Sequence, residues 1–214
     1  MPDIFYILGG FALIIGIIMF RKKGGISSLK KKTGWLIGPE IKGQNHSVGM
    51  PERPTLQGNG WVIDFPTVGT KHVHYVQNFN PPSLKGAKEI VMTYKVTGSN
   101  FCTKDFGSNR TATVGIQFQR KGDDWSASGK YESYRWYSKV LPELKEGMFT
   151  LTVPLEVSSW VNVYGKSTDL SGFQGAINDL ENIAVVFGHR SGAGHGVYAT
   201  EPSTFTLVSL QVLR

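Results

Sequence analysis

The sequence predicts an all-β chain, a jelly-roll β-sandwich preceded by one N-terminal transmembrane helix. Three observations predict it. Residues Ile4 to Phe20 read IFYILGGFALIIGIIMF, an apolar run without one charged side chain. A basic stretch, RKKGGISSLKKK, follows it directly. From about Gly60 to Arg214, short β-branched and aromatic runs alternate with Gly, Asn, Asp, Ser and Pro turns, with no alternation of strands and long helices. Many short strands in such an order form a sandwich or jelly roll. The predicted organisation is an anchor with basic flank over residues 1–23, a linker or extended arm over 24–59 and a β-sandwich domain over 60–214.

The anchor has one rival, a cleaved signal peptide. Seventeen helical residues span roughly 25 Å at about 1.5 Å each, the short end of what a bilayer needs. The stems of Arg21 and Lys22 extend that reach by snorkelling. A signal peptide begins with a basic region and ends in a small-residue cleavage site. Here Met1-Pro2-Asp3 carries no basic side chain, and the run ends in Phe20-Arg21-Lys22-Lys23. A retained helix is therefore expected. Ala12 and Gly16 form a small-xxx-small pair of the kind that lets membrane helices approach closely, although glycine is common in such helices anyway.

The charge is concentrated beside this run. The chain has 23 basic and 16 acidic residues, a net charge of +7. Six of the basic ones, Arg21, Lys22, Lys23, Lys30, Lys31 and Lys32, lie in the twelve residues after the run, and Asp3 lies before it. From Thr33 onward the balance is 17 basic to 15 acidic. The basic character thus belongs to a membrane flank that contacts anionic headgroups, not to a nucleic-acid-binding domain. Positive flanks stay cytoplasmic, which puts the large domain on the cytoplasmic side of a single-pass chain. Cys102 is the only cysteine, so no intrachain disulfide forms. Between Gly24 and Asn59, glycines and prolines break any period, except for an apolar island at Trp35-Leu36-Ile37. That island either sits at the membrane interface or packs on the domain.

Nine strands are predicted: Trp61–Phe65, His72–Phe79, Glu89–Thr97, Thr111–Arg120, Tyr131–Val140, Met148–Val153, Trp160–Tyr164, Asn182–Phe187 and Thr204–Leu213. Phe173, Ile177 and Leu180 predict a helical turn between Leu170 and Leu180. The C-terminal half carries a particular series. Met148 to Leu155 (MFTLTVPL) runs into a loop with Trp160, then the helical turn, then Leu180 to Gly188 (LENIAVVFG), then a closing strand from Phe205 to Val212. This order resembles the galactose-binding-like jelly rolls of carbohydrate-binding modules, over about Gly60 to Arg214. The resemblance lies in core residues, so it implies the fold. It leaves sugar binding, protein binding and purely structural roles open.

Strand alternation sorts the faces. Val114, Ile116 and Phe118 oppose Gly115, Gln117 and Gln119; Tyr134, Trp136 and Val140 oppose Tyr131, Ser133, Arg135 and Tyr137; Val161 and Val163 oppose Trp160, Asn162 and Tyr164. If the three strands share a sheet, Gln117, Gln119, Arg135, Tyr137, Trp160, Asn162 and Tyr164 form one polar and aromatic face. Sugars are bound on such faces, with rings stacked on C–H surfaces and amides or guanidinium groups on hydroxyls. The plainer alternative is an ordinary sheet surface or a second core.

Other constellations are weaker. His72-x-His74 has metal-ligand spacing but no third ligand nearby in sequence. Gly122-Asp123-Asp124 reads as a turn without a calcium ligand series. The glycine-rich stretch His189–Gly196 follows a strand but opens no helix, so it reads as a loop at a sheet end. No cofactor, metal or catalytic motif is predicted, and no enzyme. The partners expected are the bilayer with its anionic headgroups, then carbohydrate or another protein, and no nucleic acid. Two functions follow. One is a membrane-anchored, non-catalytic carbohydrate-binding module. The other is a structural protein of a membrane-associated assembly, a cell envelope or a virion with an internal membrane, whose domain contacts other protein, including further copies in a homo-oligomer.

The anchor reading makes a direct prediction. The full chain stays with membranes through a carbonate wash, and a C-terminal reporter reads cytoplasmic. Full-length, uncleaved protein recovered in the soluble fraction contradicts the anchor, and an external reporter contradicts the orientation.

Overall fold

The computed structural model describes residues 32–214. The apolar run and most of its basic flank lie outside them. Among the described residues, no helix is long and apolar enough to cross a membrane.

The described chain is all-β. In chain order its strands begin with β1 (Trp35–Gly38), β2 (Glu40–Ile41), β3 (Gln44–Asn45), β4 (Thr55–Gln57), β5 (Gly60–Asp64), β6 (Tyr75–Asn78) and β7 (Glu89–Thr97). They continue with β8 (Phe101–Thr103), β9 (Thr113–Arg120), β10 (Arg135–Ser138), β11 (Gly147–Pro154) and β12 (Trp160–Val161). The last are β13 (Leu180–Gly188), β14 (Val197–Ala199) and β15 (Thr204–Leu213). One helix, α1 (Leu170–Asn178), precedes β13. A six-stranded antiparallel sheet has the order β1-β6-β13-β9-β10-β12, and a five-stranded one the order β11-β7-β15-β5-β4. The chain passes repeatedly between them, so neighbours in space are distant in sequence.

The two sheets share one apolar core. Val114, Ile116 and Phe118 of β9 and Ile183, Val185 and Phe187 of β13 are buried in one cluster with Ile90, Met92, Tyr94 and Val96 of β7 and Phe205 and Leu207 of β15. These are alternate residues of each strand, as the period of two requires. Helix α1 closes one end. The Asp169 carboxylate caps it by accepting the Gly172 N–H at 2.8 Å, and Ser133 donates its hydroxyl to the same carboxylate. Its apolar face sets Phe173 edge-on to Phe118 and Trp136, with centroids 5.5 and 5.1 Å away. Leu180, expected on this helix, opens β13 instead.

Three expectations need correction. The segment read as linker or arm enters the fold, because Ile37 is buried and β1 pairs with β6 from Trp35↔Asn78 to Gly38↔Tyr75. Trp35 packs beside Trp61, centroids 6.3 Å apart, so the apolar island lies on the domain. The strand expected over Tyr131–Val140 is shorter. Gly129–Ser133 is a 3-10 turn, and only Arg135–Ser138 extends, leaving Val140 exposed.

The third correction concerns Trp160. Strand alternation predicts it on the polar face, yet it is wholly buried. The register explains this: Ser138 pairs with Trp160 and Tyr137 with Val161. Val161 therefore lies beside Tyr137 on the outer face, and Trp160 lies on the core face beside Ser138. The indole meets the Phe118 ring at 4.8 Å and donates its N–H to the Pro154 carbonyl at 2.7 Å.

Trp160→Ala is accordingly expected to cost about 3–5 kcal/mol in chemical denaturation of the full chain. Val140→Ala, at an exposed position, is expected to change stability by less than about 0.5 kcal/mol. Equal effects of the two variants contradict the placement of Trp160.

Candidate functional site

The outer face of the six-stranded sheet is not a plain solvated surface. Seven of the eight residues of β9 are buried, on both faces of the strand. Register sets three rows across this face. Asn182, Gln119 and Arg135 form the first. Gln77, Ala184, Gln117, Tyr137 and Val161 form the second. Tyr75, Val186 and Gly115 form the third. Loops fold over these rows and leave a cleft of about 840 Å³.

A buried polar network ties the first row to the loop after β9. Asn182 donates its amide N–H to Gln119 at 2.8 Å, and Gln119 donates to the Asp123 carboxylate at 2.8 Å. Arg135 brings Nε to 2.9 Å from Asp123 Oδ2. The contact lies off the N–H axis, so it is a close ion pair rather than an aligned hydrogen bond. Burial pushes the Asp123 carboxyl up, and the Arg135 guanidinium opposes that push. Asp123 also accepts the Trp125 backbone N–H at 3.1 Å. Trp125, at φ 66°, thereby projects over the sheet. Its ring stacks on the Arg135 guanidinium at 4.6 Å and meets Tyr75 edge-on at 5.7 Å. Tyr75 and Tyr137 join hydroxyls at 3.0 Å, and burial raises the pKa of both.

The predicted face residues separate into two groups. Gln117, Gln119, Arg135 and Tyr137 do share the outer face. Arg135 and Tyr137 line the cleft, while both amide atoms of Gln117 are buried without a protein partner. Asn162 also lines the cleft, but its carbonyl oxygen is taken by the Tyr164 and Lys166 N–H groups, both at 3.0 Å, so it shapes a turn. Trp160 is in the core. Tyr164 is exposed and donates its hydroxyl to the Ala127 carbonyl at 2.6 Å, pinning the neighbouring loop. Trp125, which sequence reasoning missed, supplies the aromatic wall that Trp160 was expected to supply. The charges of the wall are mainly positive, with Lys104, Arg135, Lys139 and Arg190 against Asp105.

The stretch His189–Gly196 is the opposite wall, and it is a tight turn. His189 and Gly192 exchange backbone hydrogen bonds of 3.2 and 2.9 Å, and Gly196 donates to the Phe187 carbonyl at 3.0 Å. A Cβ on Gly194 would lie 2.0 Å from the Tyr75 hydroxyl, and φ there is +79°. Only glycine lets this wall approach the sheet so closely.

All five histidines of the chain gather around this turn. His46, His74 and His195 line the cleft. The His72 ring lies 4.7 Å from that of His74, and the His189 ring 5.7 Å from that of His195. His74 donates Nδ1–H to the Gly194 carbonyl at 2.6 Å, which leaves Nε2 buried and unpartnered. His195 meets Asp105 at 2.8 Å, which with nearby charges holds that carboxyl below its ordinary range.

No protein-family model matches this chain, and no curated protein matches it. Neither comparison points to catalysis.

Burial pushes His74 down from 6.5 to about 3, against the opposing effect of its hydrogen bond to Gly194. His72 and His189 are lowered too, mainly by burial. At His74 the unfolded chain therefore binds more protons than the folded one between about pH 3 and 6.5, and this group's contribution to folding is lost as pH falls. The melting temperature in metal-free buffer should hold steady above about pH 7 and fall from about pH 6.5 to 5, before most carboxylates titrate. His74→Gln should flatten that fall. A wild-type melting temperature unchanged over the same window contradicts a buried neutral His74.

Proposed function

We propose that this chain is a membrane-anchored, non-catalytic binding module, a jelly roll of galactose-binding-like kind whose outer cleft takes a carbohydrate with acidic substituents. The observation that carries the reading is the cleft itself. Its volume of about 840 Å³ is of the size that holds a small ligand. It combines an aromatic wall at Trp125, a floor with Tyr137 and Arg135, and a rim of Lys104, Lys139 and Arg190. Aromatic rings suit the C–H faces of a sugar, and amides and guanidinium groups suit its hydroxyls and carboxylates. The excess of basic side chains selects a uronate or sulfated sugar over a neutral one. The jelly-roll reading draws support from two antiparallel sheets with one core and from the strand and helix series of the C-terminal half. The membrane reading rests on the apolar run and its basic flank.

The test is a titration of the full chain, in detergent, against acidic and neutral oligosaccharides. Acidic ones are expected to bind more tightly, with affinity falling as salt rises. Trp125→Ala removes an aromatic anchor, which typically costs about 2 kcal/mol, close to thirtyfold in affinity. Arg190→Gln and Lys139→Gln change exposed rim residues and should weaken binding of acidic sugars alone. Absence of sugar binding at millimolar concentration, together with self-association or a protein partner in solution, favours the structural role in a membrane-associated assembly.

A further inference from the structure

We propose that Asp105, His189 and His195 bind one divalent transition-metal ion at the edge of the cleft. One donor atom from each of the three lies within 4.8 Å of the other two. Two imidazoles and a carboxylate are a donor set that zinc and its first-row neighbours accept, and three protein ligands leave a position open for water or a ligand group. Ligands around a tetrahedral zinc stand roughly 3.3 Å apart, from bonds of about 2.0–2.1 Å, so the widest of the three separations must close by up to about 1.5 Å.

His189 supplies the observation that points to a ligand. The residue is only 4 % exposed, and its Nε2 has no hydrogen-bond partner. A buried polar atom left unpaired typically costs about 1–3 kcal/mol. The other ring nitrogen is occupied. Nδ1 lies 3.2 Å from Ser191 Oγ, which also accepts an N–H from Arg110. With Nδ1–H donated to Ser191, the Nε2 lone pair is free for a metal, the arrangement that orients a metal-bound histidine. Phe106 packs edge-on against the same ring at 5.1 Å and holds its plane.

The turn is shaped for the approach of the two histidines. A Cβ on Gly192 would lie 2.5 Å from His189 Nε2 and 3.1 Å from His195 Cγ. Glycine at this position leaves room between the rings. The groups that oppose a cation are Arg110 and Lys104. Arg110 is drawn aside, stacked over Phe106 at 4.2 Å and bonded to Ser191. Lys104 is exposed. Asp105 and His195 meet at the surface in a hydrogen-bonded contact of 2.8 Å, worth little by itself. Asp105 and His195 also line the cleft, so the open coordination position is available to a ligand there.

The probe is the metal alone, so the outcome is independent of whether the cleft binds sugar. Untagged full chain in detergent is titrated with Zn²⁺ by calorimetry and with Co²⁺ by visible absorption. One equivalent is expected, with the intense Co²⁺ bands of four- or five-fold coordination. Asp105→Asn and His195→Asn alter exposed side chains and should fold normally. Each should weaken Zn²⁺ at least tenfold and reduce the Co²⁺ bands, and His189→Ala should weaken Zn²⁺ more. His46→Gln and His72→Gln should leave binding unchanged. Absence of Zn²⁺ binding at micromolar concentration, affinity insensitive to Asp105→Asn and His195→Asn, or loss of binding in His72→Gln alone overturns the assignment.

Discussion

The structure depends on one constraint: strands β9 and β13 are shielded from water on both faces. On the inner face that shielding is ordinary, because Val114, Ile116, Phe118 and their partners in β13 pack against the second sheet. The outer face carries glutamines, an asparagine, an arginine and two tyrosines. Burial of such groups is costly unless their hydrogen bonds are met; the loop after β9 meets those of Gln119 through Asp123, and Gln119 accepts from Asn182, while Gln117 stays without a protein partner. The long connections of the six-stranded sheet are therefore structural parts of the domain. They provide carbonyls, carboxylates and rings to a sheet face that would otherwise be solvated.

The Arg135–Asp123 pair illustrates the energetics. Both side chains are nearly out of water, with 8 % and 0 % of their side-chain surface exposed. Desolvation of two charges offsets most of what their attraction contributes, so the pair is weak evidence for stability. Its geometric effect is larger. The carboxylate that faces Arg135 also holds Gln119 and the Trp125 backbone, so one acidic group fixes the loop, the guanidinium and the aromatic wall together. Removal of one partner alone would leave the other buried and unpaired.

Legibility of the fold in the sequence varied with strand length. Thr204–Leu213 and Glu89–Thr97 could be bounded to the residue, because nine or ten alternating residues outweigh any local ambiguity. The alternation of Thr113–Arg120 likewise separated Gln117 and Gln119 from the core. Trp160 was not legible. Its strand is two residues long, too short for a period, and its side follows from a register with β10 that no local pattern encodes. Trp125 sits in a turn, where alternation has no meaning. The Asp105 and His195 pair joins residues 90 apart, and His189 joins them only because β13 and the turn after it fold back beside the Lys104–Asp105 loop. Contacts of that kind are a property of topology.

Gly192 and Gly194 shape one wall of the cleft by carrying no side chains. The wall's outline is written in the backbone, and a Cβ at position 194 would displace Tyr75 and break its contact with Tyr137. The charge of the rim is carried by long, exposed cations, Lys104, Lys139 and Arg190. Shape and charge are thus assigned to different residues that do not constrain one another. A lineage of such domains is free to exchange the charges around the opening, and so the ligands it admits, while the contour beneath stays the same.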